Sequence, residues 1–230
     1  KIKRAQIAVV KNKPYASRIM SQTHNILKDI DLEEFTDPYI TGNNSEKKLL
    51  ILISPDKGLC GSLVTNMLRK FLETDYKDSY ILTIGKKLEK VAAKYNLELV
   101  AAFPMGSKFP SYSVIYPIIG IINDYYLKGK VSSVEILYPE FESIFSQNPK
   151  IYQLLPLNIH LDEKGTQKLS YKFEPDVQSI LSSLLPYYVE IILYNSIIEA
   201  YTSEQAARMI AMQNAKNNAL DIVDFLTLSY

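Results

Sequence analysis

Residues 187–230 run without a single glycine or proline. A helix of that length would extend about 65 Å at ~1.5 Å per residue. That is longer than a compact domain holds, so the C-terminal segment must either project or lie along a partner. Its second half steps by three and four residues through Met209, Met212, Lys216, Ala219, Val223 and Leu226. A second row, Ala211, Ala215, Ile222 and Phe225, lies beside the first. Alanines recurring from Ala200 to Ala219 would let another helix approach closely. Upstream, Pro175 can open the helix as its first residue. At Pro186 either the helix kinks or a short helix stops and a long one begins.

The N-terminal segment has the same character. Ile2, Ala5, Val9, Asn12, Ala16, Ile19, Thr23, Ile26 and Ile30 alternate steps of three and four. A 3.5-residue seam is the pattern of one helix lying along another. An ordinary amphipathic helix on a core shares that pattern. Pro14 falls inside and should kink the helix.

Between these ends the period changes. Residues 36–47 form a polar stretch with Pro, Gly and Asn and read as a linker. Leu49 to Ile53 is continuously apolar, as in a parallel strand buried on both faces. Similar runs recur at Tyr80–Ile84, Leu97–Phe103 and Val134–Tyr138, with a last candidate within Ile151–Ile159. Helical stretches at 61–74, 86–95 and 112–128 separate them. Residues 161–170 read as a polar loop. Strands alternating with helices predict βαβ units and a mostly parallel sheet. The expected fold is α/β: a Rossmann-like sheet with flanking helices, plus two long terminal helices paired as an antiparallel coiled coil. Its expected divisions are residues 1–35, 48–160 and 175–230.

Lys and Arg number 26 against 25 Asp and Glu, for a net charge of +1. That balance provides no pull toward nucleic acid or an acidic membrane surface. No 18 consecutive residues are apolar, so no membrane span is expected. With one cysteine, Cys60, and two histidines, His24 and His160, neither an intrachain disulfide nor a His/Cys metal site is expected.

The stretch SPDKGLCGSLVTN, Ser54 to Asn66, follows the first apolar run. A strand, a glycine turn and a helix are also the parts of a phosphate-binding loop. Gly58 and Gly61 lack the Lys-Ser or Lys-Thr pair of a P-loop. They also supply only half of a dinucleotide fingerprint. A tight turn that needs glycine is the better reading, and no cofactor is expected. Cys60 at a helix start could be a nucleophile, but no histidine base is placed beside it.

Ser203 to Ala219, SEQAARMIAMQNAKNNA, is the most distinctive segment. Glu204 and Arg208 are spaced i,i+4 and can brace each other. As a solvated pair they would contribute about 0.3–0.5 kcal/mol. As a functional pair, Arg208 would reach an acidic group on another chain.

This segment resembles the start of the C-terminal helix of the gamma subunit of the F-type ATP synthase, where the pattern is close to SE-x-AARM-x-AM. The likeness extends over nearly the whole chain. It includes KIKRAQ at Lys1–Gln6, Pro14-Tyr15-Ala16, GLCG at Gly58–Gly61 and YPEFESIFSQNPKIYQLLPL at Tyr138–Leu157. It also includes YKFEP at Tyr171–Pro175, Leu184-Leu185-Pro186 and Leu226–Tyr230. Pro55 and Lys57 stand where the family has Ser and Arg, and Ser62 where it has a second Gly. The family's pattern continues beyond both Lys1 and Tyr230, so the resemblance implies a lower shaft and globular domain.

The resemblance implies a rotor subunit that is not itself catalytic. It would couple ion-driven rotation of the c-ring to ATP synthesis or hydrolysis in the alpha and beta subunits, with the epsilon subunit alongside. It would be peripheral to the membrane, at the cytoplasmic face of a bacterial inner membrane or the matrix face of the mitochondrial one. By position in the motif, Glu204 and Arg208 are the candidates for contact with the beta subunit's acidic lever. Two other classes stand beside this reading: a nucleotide-binding α/β enzyme, and an unrelated coiled-coil adaptor with an α/β insert.

Overall fold

In the computed structural model, residues 2–28, 37–74, 76–157 and 177–229 are described. The elements are α1 (Ile2–Lys28), α2 (Pro38–Thr41), β1 (Lys48–Ile53), α3 (Leu63–Leu72), β2 (Ser79–Ile84), α4 (Lys86–Lys94) and β3 (Glu98–Phe103). After a 3-10 turn at Tyr112–Val114 come α5 (Ile115–Tyr126), β4 (Ser133–Phe141), β5 (Gln147–Leu155) and α6 (Val177–Ser229). Ile30, the end of the last candidate strand (158–159), the polar loop at 161–170 and Tyr171–Pro175 lie outside the described residues.

The five strands form one sheet in the order β3-β2-β1-β4-β5. Strands β1 to β4 pair in parallel, and β5 returns antiparallel to β4. The apolar run in β1 serves both faces. Leu49, Ile51 and Ile53 join a core with Ile115, Ile118 and Ile122 of α5 and Leu181, Leu185 and Val189 of α6. Leu50 and Leu52 face Met67 and Phe71 of α3 and Leu88 of α4.

Strand β5 starts earlier than its apolar half predicts, because Asn148, Pro149 and Lys150 also pair with β4. Pro139 is tolerated within β4 because pairing with β1 ends at Leu137. Beyond that point β4 has a neighbour on one side only, as prolines in sheets require.

The expected linker is instead tied to the body. Asp37 Oδ1 accepts from Tyr39 N at 2.9 Å and caps α2. Tyr39 is buried. Asn43 Nδ2 donates to the carbonyl of Val131 at 2.7 Å, and Ser45 Oγ to that of Lys130 at 2.8 Å.

Among the described side chains of α1, Ala5, Val9, Ala16, Ile19 and Thr23 are buried and Ile26 is half-buried. These follow the seam's steps. Val9 clusters with Ile198 and Ala206 of α6, and Tyr15 Oη lies 2.9 Å from Tyr187 Oη. Positions thus rise along α1 as they fall along α6. Pro14 and Pro186 both sit within continuous helices, so no short helix ends at Pro186.

Helix α6 spans 53 residues, about 80 Å. Its first half is buried as far as Ala207, whereas side chains from Met212 to Leu228 are exposed. By length and composition α6 could cross a membrane, with a best 18-residue mean hydropathy of 1.2. Half of that window is buried within the protein, as in the core helix of a globular domain.

Candidate functional site at the carboxyl end of the sheet

In an open parallel sheet, ligands bind beyond the carboxyl ends of the strands. Here the loop after β1 fills that place. Ser54 Oγ accepts from Leu88 N at 3.1 Å and donates to the Gly85 carbonyl at 3.2 Å. Asp56 accepts three backbone amides: Lys86 N at 3.1 Å and Met105 N at 3.2 Å on Oδ1, and Gly106 N at 2.9 Å on Oδ2. A helix N-terminus concentrates unpaired amides and partial positive charge, which favours an anion. At the start of α4 the protein supplies that anion from its own chain. The amides that would cradle a phosphate are therefore already bonded.

The sequence held one signal for this arrangement. Helix α4 opens on Gly85, which brings no side-chain cap, so its amides must find partners elsewhere. Gly85 is also required sterically. Its φ is +100°, and a Cβ there would lie 1.7 Å from the Ser54 carbonyl oxygen.

The GLCG turn follows. Leu59 and Gly61 both have positive φ, 61° and 58°. Leu59 is exposed, whereas Cys60 is buried with Leu63 and Ala207 of α6. Burial pushes the Cys60 thiol above its ordinary range, although Arg208 acts the other way. A buried, protonated thiol is a poor nucleophile.

Glu204 and Arg208 lie directly over this turn. Arg208 Nη2 is 2.6 Å from Glu204 Oε1, and it points toward the Gly58 and Lys57 carbonyls at 3.4 and 3.5 Å. The Glu204 side chain is 7% exposed and that of Arg208 20%. The reading of a solvated surface pair is therefore corrected, because this part of α6 is packed against β4 and the turn that follows β1. Burial pushes the Glu204 carboxyl up, opposed by its bond to Arg208. Its other oxygen, Oε2, is buried without a hydrogen-bond partner. Ser203 Oγ donates to the Pro139 carbonyl at 3.0 Å, and Phe141 N donates to Glu199 Oε2 at 3.3 Å. These bonds stitch α6 to β4 immediately ahead of the pair.

A cavity of about 470 Å³ opens between the pair and the loop, lined by Asp56, Lys57, Gly106, Glu204 and Arg208 among others. Among the described residues, no three His, Cys, Asp or Glu side chains converge as metal ligands would. His160 lies outside them.

The sequence pattern of the ATP synthase family matches residues 1–230. The ATP synthase gamma chain of Dehalococcoides mccartyi is 33% identical over 234 residues, covering all of this chain and 81% of the relative. That of Clostridium novyi is 32% identical with the same coverage. Among solved structures, the central stalk and c-ring of the Tetrahymena thermophila mitochondrial ATP synthase contains a similar chain. The TM-score is 0.62 at 20% identity, covering 94% of this chain and 99% of that one. The rotor of the Euglena gracilis mitochondrial ATP synthase gives a TM-score of 0.60 at 17% identity, covering 100% and 95%. At those identities the structures establish the fold, while the whole-length sequence matches establish kinship: this chain belongs to the ATP synthase gamma chain family.

Proposed function

We propose that this chain is the central-stalk rotor subunit of an F-type ATP synthase. It couples ion-driven rotation of a c-ring to ATP synthesis or hydrolysis by the alpha and beta subunits. The observation that carries this reading is the family match over residues 1–230, and the course of α6 supports it. That helix is anchored to the α/β body through Glu199, Ser203 and the Glu204–Arg208 pair. It then continues past the body with Met212, Val223 and Leu226 exposed.

In this reading α1 and α6 form an antiparallel coiled coil, and residues 48–160 form the Rossmann-like foot between the helical segments 1–35 and 175–230. The falling positions on α6 opposite rising positions on α1 support the pairing. A paired helix resists bending where a single one would flex. The foot engages the c-ring and the epsilon subunit, and the shaft biases the catalytic sites by making different contacts at each angle. The chain itself catalyses nothing. A nucleotide enzyme built on this sheet would need the amides that Asp56 already occupies. The chain is peripheral to the membrane, at the cytoplasmic face of a bacterial inner membrane or the matrix face of the mitochondrial one.

Glu204 and Arg208 are the candidates for contact with the beta subunit's acidic lever. Arg208 keeps part of its side chain in solvent, and Glu204 holds it in place. The test is assembly with alpha and beta subunits, followed by rotation-coupled ATPase. The chain should assemble, and Arg208→Ala should lower coupling in the assembled complex. Failure to assemble would overturn the rotor reading. Full coupling in Arg208→Ala would remove the lever contact alone.

A further inference from the structure

Where α1, the 3-10 turn and α6 meet, a cavity of about 180 Å³ is lined by Tyr15, Tyr112, Tyr187, Tyr194 and Asn195, with Ala16 and Ile191 at its base. Tyr112 and Tyr194 pack edge to face, 4.9 Å between centroids. Tyr15 and Tyr187, joined through their hydroxyls, are half-exposed and form an outer wall.

Two polar features of this place are uncompensated. Asn195 Nδ2 donates to Glu199 Oε1 at 3.0 Å, but Asn195 Oδ1 is buried with no hydrogen-bond partner. Buried acceptors are nearly always satisfied, so an orphan calls for a donor. Glu190 accepts from Tyr112 Oη at 2.9 Å. Among the described residues, no ion pair includes Glu190. Its charge reaches the cavity walls. The Tyr112 hydroxyl is pushed up first by burial and then by Glu190, and Tyr187 first by its bond to Tyr15, with Glu190 contributing.

We propose that this cavity receives the guanidinium or ammonium head of an arginine or lysine side chain from a partner protein. Tyrosine faces attract cations through their ring quadrupole. The head's N–H groups satisfy Asn195 Oδ1, and Glu190 supplies the opposite charge. The cavity is smaller than the ~300 Å³ at which drug-sized pockets begin, and it suits a single side-chain head. It shares no lining residue with the cavity beside Asp56, Lys57 and Arg208, so it is separate from the site at the sheet's end. Probe binding to the isolated chain does not depend on the rotor assignment, whereas closure of the site on assembly rests on it.

The test uses n-butylguanidinium as the probe and n-butylurea as its neutral isostere, titrated into the full chain. Ring resonances of Tyr112 and Tyr194 are followed by NMR. The cation should bind in the millimolar range, about tenfold tighter than the urea. Glu190→Gln, which retains an acceptor for Tyr112, should abolish that preference without lowering the melting temperature. Assembly of the chain with its natural partners should close the site to the probe. Equal binding of cation and urea, shifts confined to other tyrosines, or undiminished probe binding in the assembled complex would each overturn the proposal.

Discussion

Arg208 Nη2 stands 2.6 Å from Glu204 Oε1 and 3.4 Å from the carbonyl oxygen of Gly58, a residue 150 positions away in the chain. One guanidinium thus joins the long helix to the loop that ends β1. Removing it leaves a buried carboxylate without its counter-ion, which buried sites tolerate poorly. Glu204 can take up a proton instead, which limits the damage. Arg208→Ala should therefore cost about 1–3 kcal/mol. Adding Glu204→Gln should restore part of the loss. Urea unfolding of the two single variants and the double variant measures the coupling. Strictly additive losses would show that the pair does not act as a unit.

Asp56 should behave as a built-in anion. Asp56→Ala strands the amides of Lys86, Met105 and Gly106. The residue is only partly buried, so water can replace some of the lost bonds. A cost of about 2 kcal/mol is expected. The vacated amides, one at the start of α4 and two after β3, should then accept an external anion. Sulfate should raise the melting temperature of Asp56→Ala more than that of the parent chain. Equal shifts in thermal melts would argue that the amides do not form a shared anion site.

Gly85 and Gly61 provide a matched contrast. Both have positive φ, but a Cβ on Gly85 would meet the Ser54 carbonyl at 1.7 Å, whereas nothing lies within 4 Å of one on Gly61. Gly61→Ala should cost only the backbone strain, about 1 kcal/mol. Gly85→Ala must also push β1 and α4 apart, so it should lose more than about 3 kcal/mol or fail to fold. Chemical denaturation of both variants decides this, and similar losses would contradict the geometry.

Much of the fold was legible because burial imposes a period. β1 is apolar throughout because α3 and α4 cover one face and α5 and α6 the other. The steps of Ala5, Val9, Ala16 and Ile19 appear directly as buried side chains. What escaped sequence reading depends on contacts distant along the chain. Asp56 finds its amides after β2 and after β3, and nothing local to Asp56 announces them. Glu204 and Arg208 look like a solvated i,i+4 pair until the sheet's end is brought beneath them. The early residues of β5 were hidden because Asn148, Pro149 and Lys150 carry no strand pattern of their own. Residues 37–45 read as a linker because much of their anchoring uses side-chain bonds to backbone carbonyls, and the apolar pair that does enter the core, Tyr39 and Ile40, is too short to set a period.

The pH dependence of stability should carry the mark of Glu199. Its carboxyl is pushed up, chiefly by burial, with Glu140 of β4 adding to the rise. Lys13 of α1, the Phe141 amide and Asn195 act in the opposite direction. A carboxyl whose folded pKa is raised binds its proton more tightly in the native state than in the unfolded one. Its contribution is therefore complete below the unfolded value, near 4.5, and is lost as pH rises from there through the folded pKa. Glu199→Gln keeps the shape of the neutral carboxyl and removes this loss. The variant should be more stable than the parent at pH 7, and the two should converge toward pH 4. The size of the difference reads out the shift, about 1.4 kcal/mol for each pKa unit. Urea denaturation across that range is the measurement. A variant less stable than the parent at pH 7 would mean that the charged carboxylate, held by Lys13, the Phe141 amide and Asn195, is the form the fold prefers.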